Sequence, residues 1–76
     1  MVRYKIYNLT SATSGSDQSK LFDAVTSLAG MSDVTVDADS GEIGFVTDGS
    51  TGRETLAMAV SRVGFLLRGR ADRWTG

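Results

Sequence analysis

The chain of 76 residues contains no cysteine, no histidine and no proline. Without cysteine it forms neither a disulfide nor a thiolate metal site, and without histidine it lacks the side chain used most often for acid–base catalysis. No stretch approaches the roughly 18 apolar residues of a membrane-spanning helix, and no N-terminal signal peptide is recognisable. These absences favour a soluble, cytoplasmic protein that is not an enzyme and has no membrane partner.

The sequence also lacks an excess of charge of either sign, because 8 basic and 9 acidic residues leave a net charge of −1. A nearly neutral protein has little nonspecific attraction for nucleic acid or for anionic lipid, so nucleic acid is not the expected partner. The length suits one domain. We expect a folded unit over residues 1–70 and a polar C-terminal tail over residues 71–76.

The clearest pattern runs from Ser19 to Val36. Its first part predicts a helix over residues 17–29 that ends at Gly30, and its second part predicts a strand over residues 33–37 in which apolar and polar residues alternate. The helical stripe recurs at spacings of three and four residues, at Leu21, Ala24, Val25, Leu28 and Ala29.

Four further elements are predicted around this segment. Residues 1–9 alternate as a first strand, and Glu42–Thr47 form another strand after an Asp-rich turn. A capping box from Thr51 to Glu54 begins a second helix, which stops at Gly64. Phe65 then begins a last strand.

The resulting order is β-α-β-β-α-β, which predicts an α+β fold of the ferredoxin-like type. We expect a four-stranded antiparallel sheet in the order 4-1-3-2, with both helices on one face.

Residues 9–65 resemble the heavy-metal-associated (HMA) domain of copper chaperones and metal-pumping ATPases. Residues 28–36 are similar to the family's LxGVxxVxV passage, and residues 59–65 to its AIxxxGY ending. Counted back without a gap, residues 11–17 fall on the family's GMTCxxC metal loop. Thr13 matches that motif, whereas Ser14 and Asp17 occupy the two cysteine positions.

This departure removes the chemistry of the family. Its members hold soft ions such as Cu(I) with two thiolates, and a hydroxyl with one carboxylate does not replace them. We therefore predict no metal and no cofactor. Three methionines remain, of which Met31 and Met58 are expected to fill gaps in the core.

The loop itself is the candidate interaction site, because members of the resembled family dock partners there. We single out Thr13, Ser14, Asp17 and Phe65 at the positions of the family's metal site, and Trp74 as a further contact because Trp is enriched at binding hot spots. The simpler interpretation is that Ser14, or Ser16 or Asp17 as N-cap, only caps the first helix, and that Phe65 is an ordinary core residue.

Acidic residues gather in residues 33–48 and arginines in residues 53–73. This pattern is typical of a solvated surface, but it also suits steering of a partner or head-to-tail contact between copies. Because charges and glycines on the predicted edge strands oppose pairing, we expect mostly monomer, with at most weak edge-strand or head-to-tail self-association.

A second interpretation is an RNA-recognition motif (RRM), which has the same element order. Residues 44–46 (GFV) resemble part of its third-strand motif, and residues 6–9 the end of its first-strand motif. Single-stranded RNA is bound there by aromatics on strands 1 and 3, where this chain has Lys5, Ile43 and Phe45.

The HMA resemblance implies a noncatalytic binding or regulatory module, free-standing or part of a larger transporter or sensor. Such a module would act through contacts with a protein partner and would be linked to metal transport.

Overall fold

The computed structural model describes residues 1–71, so Trp74 and most of the predicted tail lie outside the described residues. Three elements precede the turn at residues 38–41 and three follow it. They are β1 (Val2–Ile6), α1 (Gly15–Thr26), β2 (Met31–Asp37), β3 (Glu42–Thr47), α2 (Arg53–Arg62) and β4 (Leu67–Arg70).

The strands form one sheet in the order β2-β3-β1-β4, and every neighbouring pair is antiparallel. This confirms the ferredoxin-like fold and the predicted strand order. One core lies between the sheet and the two helices, because the apolar stripes of both helices and alternate residues of the strands meet there. Its buried residues are Tyr4, Ile6, Leu9, Leu21, Val25, Ile43, Phe45, Leu56, Val60, Phe65 and Leu67.

Helix α1 begins two residues before the predicted start and ends three residues before the predicted end. Ser14 is its N-cap, rather than Ser16 or Asp17, and the Ser14 hydroxyl accepts a hydrogen bond from the Asp17 amide at 3.1 Å. At the other end, the Ser27 hydroxyl donates to the Ala24 carbonyl at 2.9 Å. These two local bonds satisfy terminal backbone groups and set the helix limits ahead of Gly30.

The predicted capping box of α2 is wrong. Gly52 is the N-cap and makes no side-chain capping bond. The Thr51 hydroxyl instead donates to the Ala29 carbonyl at 2.7 Å, on the turn that follows α1. The Thr51 side chain is therefore bound to a distant part of the chain, and its oxygen does not accept from the Glu54 amide as the local motif requires.

Strand limits also differ: β2 begins at Met31, two residues early, and β4 begins at Leu67, two residues late. The methionine prediction holds for Met31, which packs against the core, and fails for Met58, which is 60% exposed. Neither helix of residues 1–71 is long and apolar enough to cross a membrane.

Candidate interaction site at the start of helix α1

The loop between β1 and α1 is held in a defined shape by its own threonines. The Thr13 amide donates to the Thr10 carbonyl at 2.9 Å, and the Thr13 hydroxyl accepts from the Thr10 amide at 3.0 Å. The Gln18 side-chain amide donates to the Thr13 carbonyl at 2.9 Å from the first turn of α1. The loop therefore reaches the helix in one fixed orientation.

Ser14 and Asp17 stand together where this loop enters α1. They are the N-cap and a first-turn residue, and both are exposed. Residues three apart in a helix lie on the same face, so both side chains are presented at the helix start. The Asp17 carboxylate also lies at the end of the helix where the backbone dipole favours negative charge.

Phe65 approaches the same place from the chain that leaves α2. Gly64 has a φ of +91°, a left-handed conformation in which a side chain is disfavoured, and the Phe65 amide donates back to the Val60 carbonyl at 2.9 Å. This turn ends α2 where the sequence predicts and directs Phe65 inward, where it is 6% exposed.

These residues surround one open pocket of about 500 Å³. The structure thus brings together the four candidate residues that it describes, although they come from two segments about 50 positions apart. The pocket is lined by Asn8, Ala12, Thr13, Ser14, Asp17, Val63, Gly64 and Phe65.

Asn8 is a polar residue of this pocket that the sequence analysis did not single out. Its side-chain amide donates to the Gly64 carbonyl at 2.6 Å, and its side-chain oxygen accepts from the Leu66 amide at 3.2 Å. Asn8 therefore clamps the backbone on both sides of Phe65. No local signal points to this role, because both partners lie more than 50 residues away along the chain.

The donor atoms at the start of α1 do not suit a soft metal ion. Ser14 offers a hydroxyl and Asp17 a carboxylate, both hard oxygen donors, whereas Cu(I) prefers thiolate or thioether sulfur. Within residues 1–71, no group of three or more acidic side chains is placed to hold a metal. The site therefore offers a surface for polar and apolar contacts.

The aromatic surface that an RRM would need is not formed by the strands. Phe45 is 2% exposed and stacks on Tyr4 inside the core, with ring centroids 5.9 Å apart. Ile43 is fully buried. Lys5 is engaged by Glu42 at 3.1 Å. Phe45, the one aromatic residue at those positions, faces the helices and is not available to stack on a base.

The structure superimposes on a solved chain described as the CopZ metallochaperone. The TM-score is 0.74, and the match covers 87% of this chain and 96% of that chain. The chain has the fold of a metallochaperone. A second solved chain, described under crosstalk between Cu(I) and Zn(II) homeostasis, matches with a TM-score of 0.76 over 90% of this chain and 94% of its own.

Sequence identity to these two structures is 13% and 19%, so the likeness concerns the fold. No protein-family model matches the sequence, and no curated protein sequence matches it significantly. The resemblance to HMA domains, inferred from two short motifs, is confirmed at the level of the fold. Unlike the metal loop of the resembled family, residues 11–17 contain no cysteine.

Proposed function

We propose that this chain is a noncatalytic, cytoplasmic binding module on a metallochaperone scaffold that has lost its thiolate ligands, and that it acts through a protein partner in metal transport. The observation that carries the proposal is the position of Ser14 and Asp17. They stand in the two cysteine positions of the resembled motif, at the start of α1 and beside an open pocket.

The chemistry of the pocket supports a protein partner. Phe65 and Val63 provide an apolar base, and Ser14 and Asp17 provide a polar rim with one negative charge. A partner side chain with an apolar stem and a cationic end, such as lysine or arginine, matches both parts. Protein interfaces commonly combine an apolar centre with a polar rim, and this pocket has both.

The absence of suitable groups supports a noncatalytic role. The chain has no histidine and no cysteine. The Ser14 hydroxyl is already used as a helix cap, accepting from the Asp17 amide. A nucleophilic serine needs a neighbouring base to remove its proton, and a capping serine is held for a different purpose.

Restoring the thiolates tests the loss of ligands. We expect Cu(I) and Zn²⁺ to leave the amide spectrum of the native chain unchanged around residues 11–17. The double variant Ser14→Cys/Asp17→Cys should bind one Cu(I) per chain, because both thiolates then face the same ion. Tight stoichiometric shifts in the native chain, or failure of the folded double variant to bind Cu(I), would contradict the proposal.

The control matched in spacing is Lys20→Cys/Asp23→Cys, at two exposed positions of α1 beyond the first turn and away from residues 11–17. We expect it to bind Cu(I) more weakly than the restored site. Equal binding would mean that the loop and pocket contribute nothing to the arrangement of the ligands.

The partner is tested by comparing two charge reversals on α1 in pull-downs from the organism that carries the protein. Asp17→Lys changes the rim of the pocket, whereas Asp23→Lys changes an exposed site further along the helix. We expect a specific partner to be lost with the first variant and retained with the second. A partner that is retained by both variants would place the interface elsewhere.

A further inference from the structure

The two edges of the sheet are open to further strand pairing. Within residues 1–71, β2 pairs with β3 and β4 pairs with β1, so the outer sides of β2 and β4 have no strand partner. An unpaired edge presents backbone N–H and C=O groups that another strand can use.

These edges have opposite charge. Asp33 and Asp37 are exposed on β2, whereas Arg68 and Arg70 are exposed on β4. The sheet order holds the two groups three strand spacings apart, about 14 Å, so they belong to opposite sides of the molecule. Arg68 also lies over the exposed ring of Tyr7, 5.4 Å from its centroid, and this contact keeps the guanidinium beside the end of β1, the inner neighbour of β4.

Strand direction makes the two edges compatible with each other. All three neighbouring pairs in the order β2-β3-β1-β4 are antiparallel, so β2 and β4 of one molecule run in opposite directions. If a second copy is placed beside the first by translation alone, its β2 lies antiparallel to the β4 of the first. The antiparallel sheet then continues across both molecules, with all helices on the same side.

We propose that the β4 edge of one copy binds the β2 edge of a second copy, as a salt-sensitive head-to-tail contact. Opposite charges meet at this contact, Arg68 and Arg70 of one copy against Asp33 and Asp37 of the other. This inference is independent of the pocket at the start of α1.

Two features keep the contact weak. Strand β4 has only four residues, which limits the number of backbone hydrogen bonds across the contact. Strand β2 has a register shift between Ser32 and Thr35, where Asp33 has a φ of +50°, and such irregularities reduce edge pairing. The chain is therefore monomeric when dilute and associates when concentrated.

The test measures mass by light scattering from about 0.01 to about 1 mM protein, at about 20 and about 500 mM salt. We expect the average mass to rise with concentration at low salt and to fall at high salt. Concentration-dependent amide shifts should fall on residues 31–37 and 67–70. A constant monomer mass up to the highest concentration at low salt would overturn the proposal.

Charge reversal at either edge should remove the association, and mixing should restore it. Arg68→Asp and Asp37→Lys are each expected to associate roughly tenfold more weakly than the native chain, because like charges then face each other. A mixture of the two should associate again as pairs, since the unchanged β2 edge of Arg68→Asp can meet the unchanged β4 edge of Asp37→Lys.

Matched controls make the same changes in net charge on α1. Lys20→Asp corresponds to Arg68→Asp, and Asp23→Lys corresponds to Asp37→Lys; both control sites are exposed. We expect the controls to associate like the native chain. Equal loss in variants and controls would show an effect of net charge alone, and shifts confined to residues 11–17 would assign self-association to the pocket; either result overturns the edge contact.

Discussion

The two ends of the molecule are built differently. At the end opposite the pocket, the turn after α1 and the loop after β3 are joined directly. The Asp48 amide donates to the Gly30 carbonyl at 3.2 Å, and the Thr51 hydroxyl donates to the Ala29 carbonyl at 2.7 Å. A Cβ atom at Gly30 would overlap the Asp48 carboxylate, so the junction leaves no room for a side chain at residue 30.

The end that carries the pocket is held together by hydrogen bonds between segments that lie farther apart in the sequence. There Asn8 links β1 to the Gly64 and Leu66 backbone, and Ser14 caps α1. The segments do not close on each other, and about 500 Å³ of open space remains between them. The comparison indicates that one end contributes to stability through direct hydrogen bonds between its two loops, whereas the other keeps a surface available for contacts.

The largest expected effect comes from adding a side chain where the two loops are joined. Gly30→Ala adds a Cβ at a residue whose φ is +74° and displaces the exposed Asp48 carboxylate from its hydrogen bond with the Ser50 amide, so we expect a loss of about 2–3 kcal/mol of unfolding free energy. Urea denaturation measures the loss. The control is Gly49→Ala, with a φ of +88° but no atom near its Cβ, which should cost only about 1 kcal/mol. Equal losses would mean that the overlap with Asp48 is relieved at no cost.

The next largest effect is expected from removing the hydrogen bonds of Asn8 at the pocket end. Asn8→Ala removes two hydrogen bonds to the backbone around Phe65, and we expect a loss of about 1–3 kcal/mol in urea denaturation. The amide signals of residues 64–66 should shift with it. Asn8→Asp keeps an acceptor for the Leu66 amide but loses the donor to Gly64. Its stability should therefore lie between that of the native chain and that of Asn8→Ala. If Asn8→Ala unfolds at the same urea concentration as the native chain, these two hydrogen bonds are not needed for stability.

A smaller effect is expected from the helix cap. Ser14→Ala removes the oxygen that accepts from the Asp17 amide, which should cost about 1 kcal/mol of unfolding free energy. Ser14→Asp should retain the cap, and Ser16→Ala in the first turn serves as a control. If Ser14→Ala and Ser16→Ala unfold at the same urea concentration, the cap contributes nothing measurable.

The smallest effect is a pH dependence of the stability contributed by Asp48, at the end opposite the pocket. Hydrogen bonds from the Ser50 side chain and amide lower the pKa of Asp48 below its usual value of 3.8. A carboxyl group whose pKa is lowered in the folded state adds stability that is fully present above its unfolded pKa. This stability is lost as the pH falls through its folded pKa. Asp48→Asn should therefore differ most from the native chain near about pH 5 and least near about pH 2. Thermal unfolding across this range measures the difference, and a gap that widens toward low pH would contradict it.

Much of the fold was available from local pattern. The apolar stripes gave the buried faces of both helices, with Leu21 and Val25 on α1 and Leu56 and Val60 on α2. Gly64 gave the end of α2. The turn before residue 42 and the loop after residue 47 gave the limits of β3, and the order of elements gave the sheet topology.

The candidate site was only partly available. A motif comparison brought Thr13, Ser14, Asp17 and Phe65 into one hypothesis, and the structure gathers them around one pocket. Asn8 was missed because its partners are remote in sequence. Thr51 was assigned to a local capping box because the Ala29 carbonyl, 22 residues away, is not visible as its partner in a single sequence.

By itself, the sequence determined which faces are apolar, where glycines end helices, and that no thiolate is present to hold a soft ion. These properties follow from backbone periodicity and from residue type, and both are local. Only the tertiary structure decided that Phe45 faces the core, that Asn8 braces the pocket, and that opposite charges lie on opposite edges of the sheet. Those outcomes depend on which distant segments meet, and that is settled by packing the whole chain around one core.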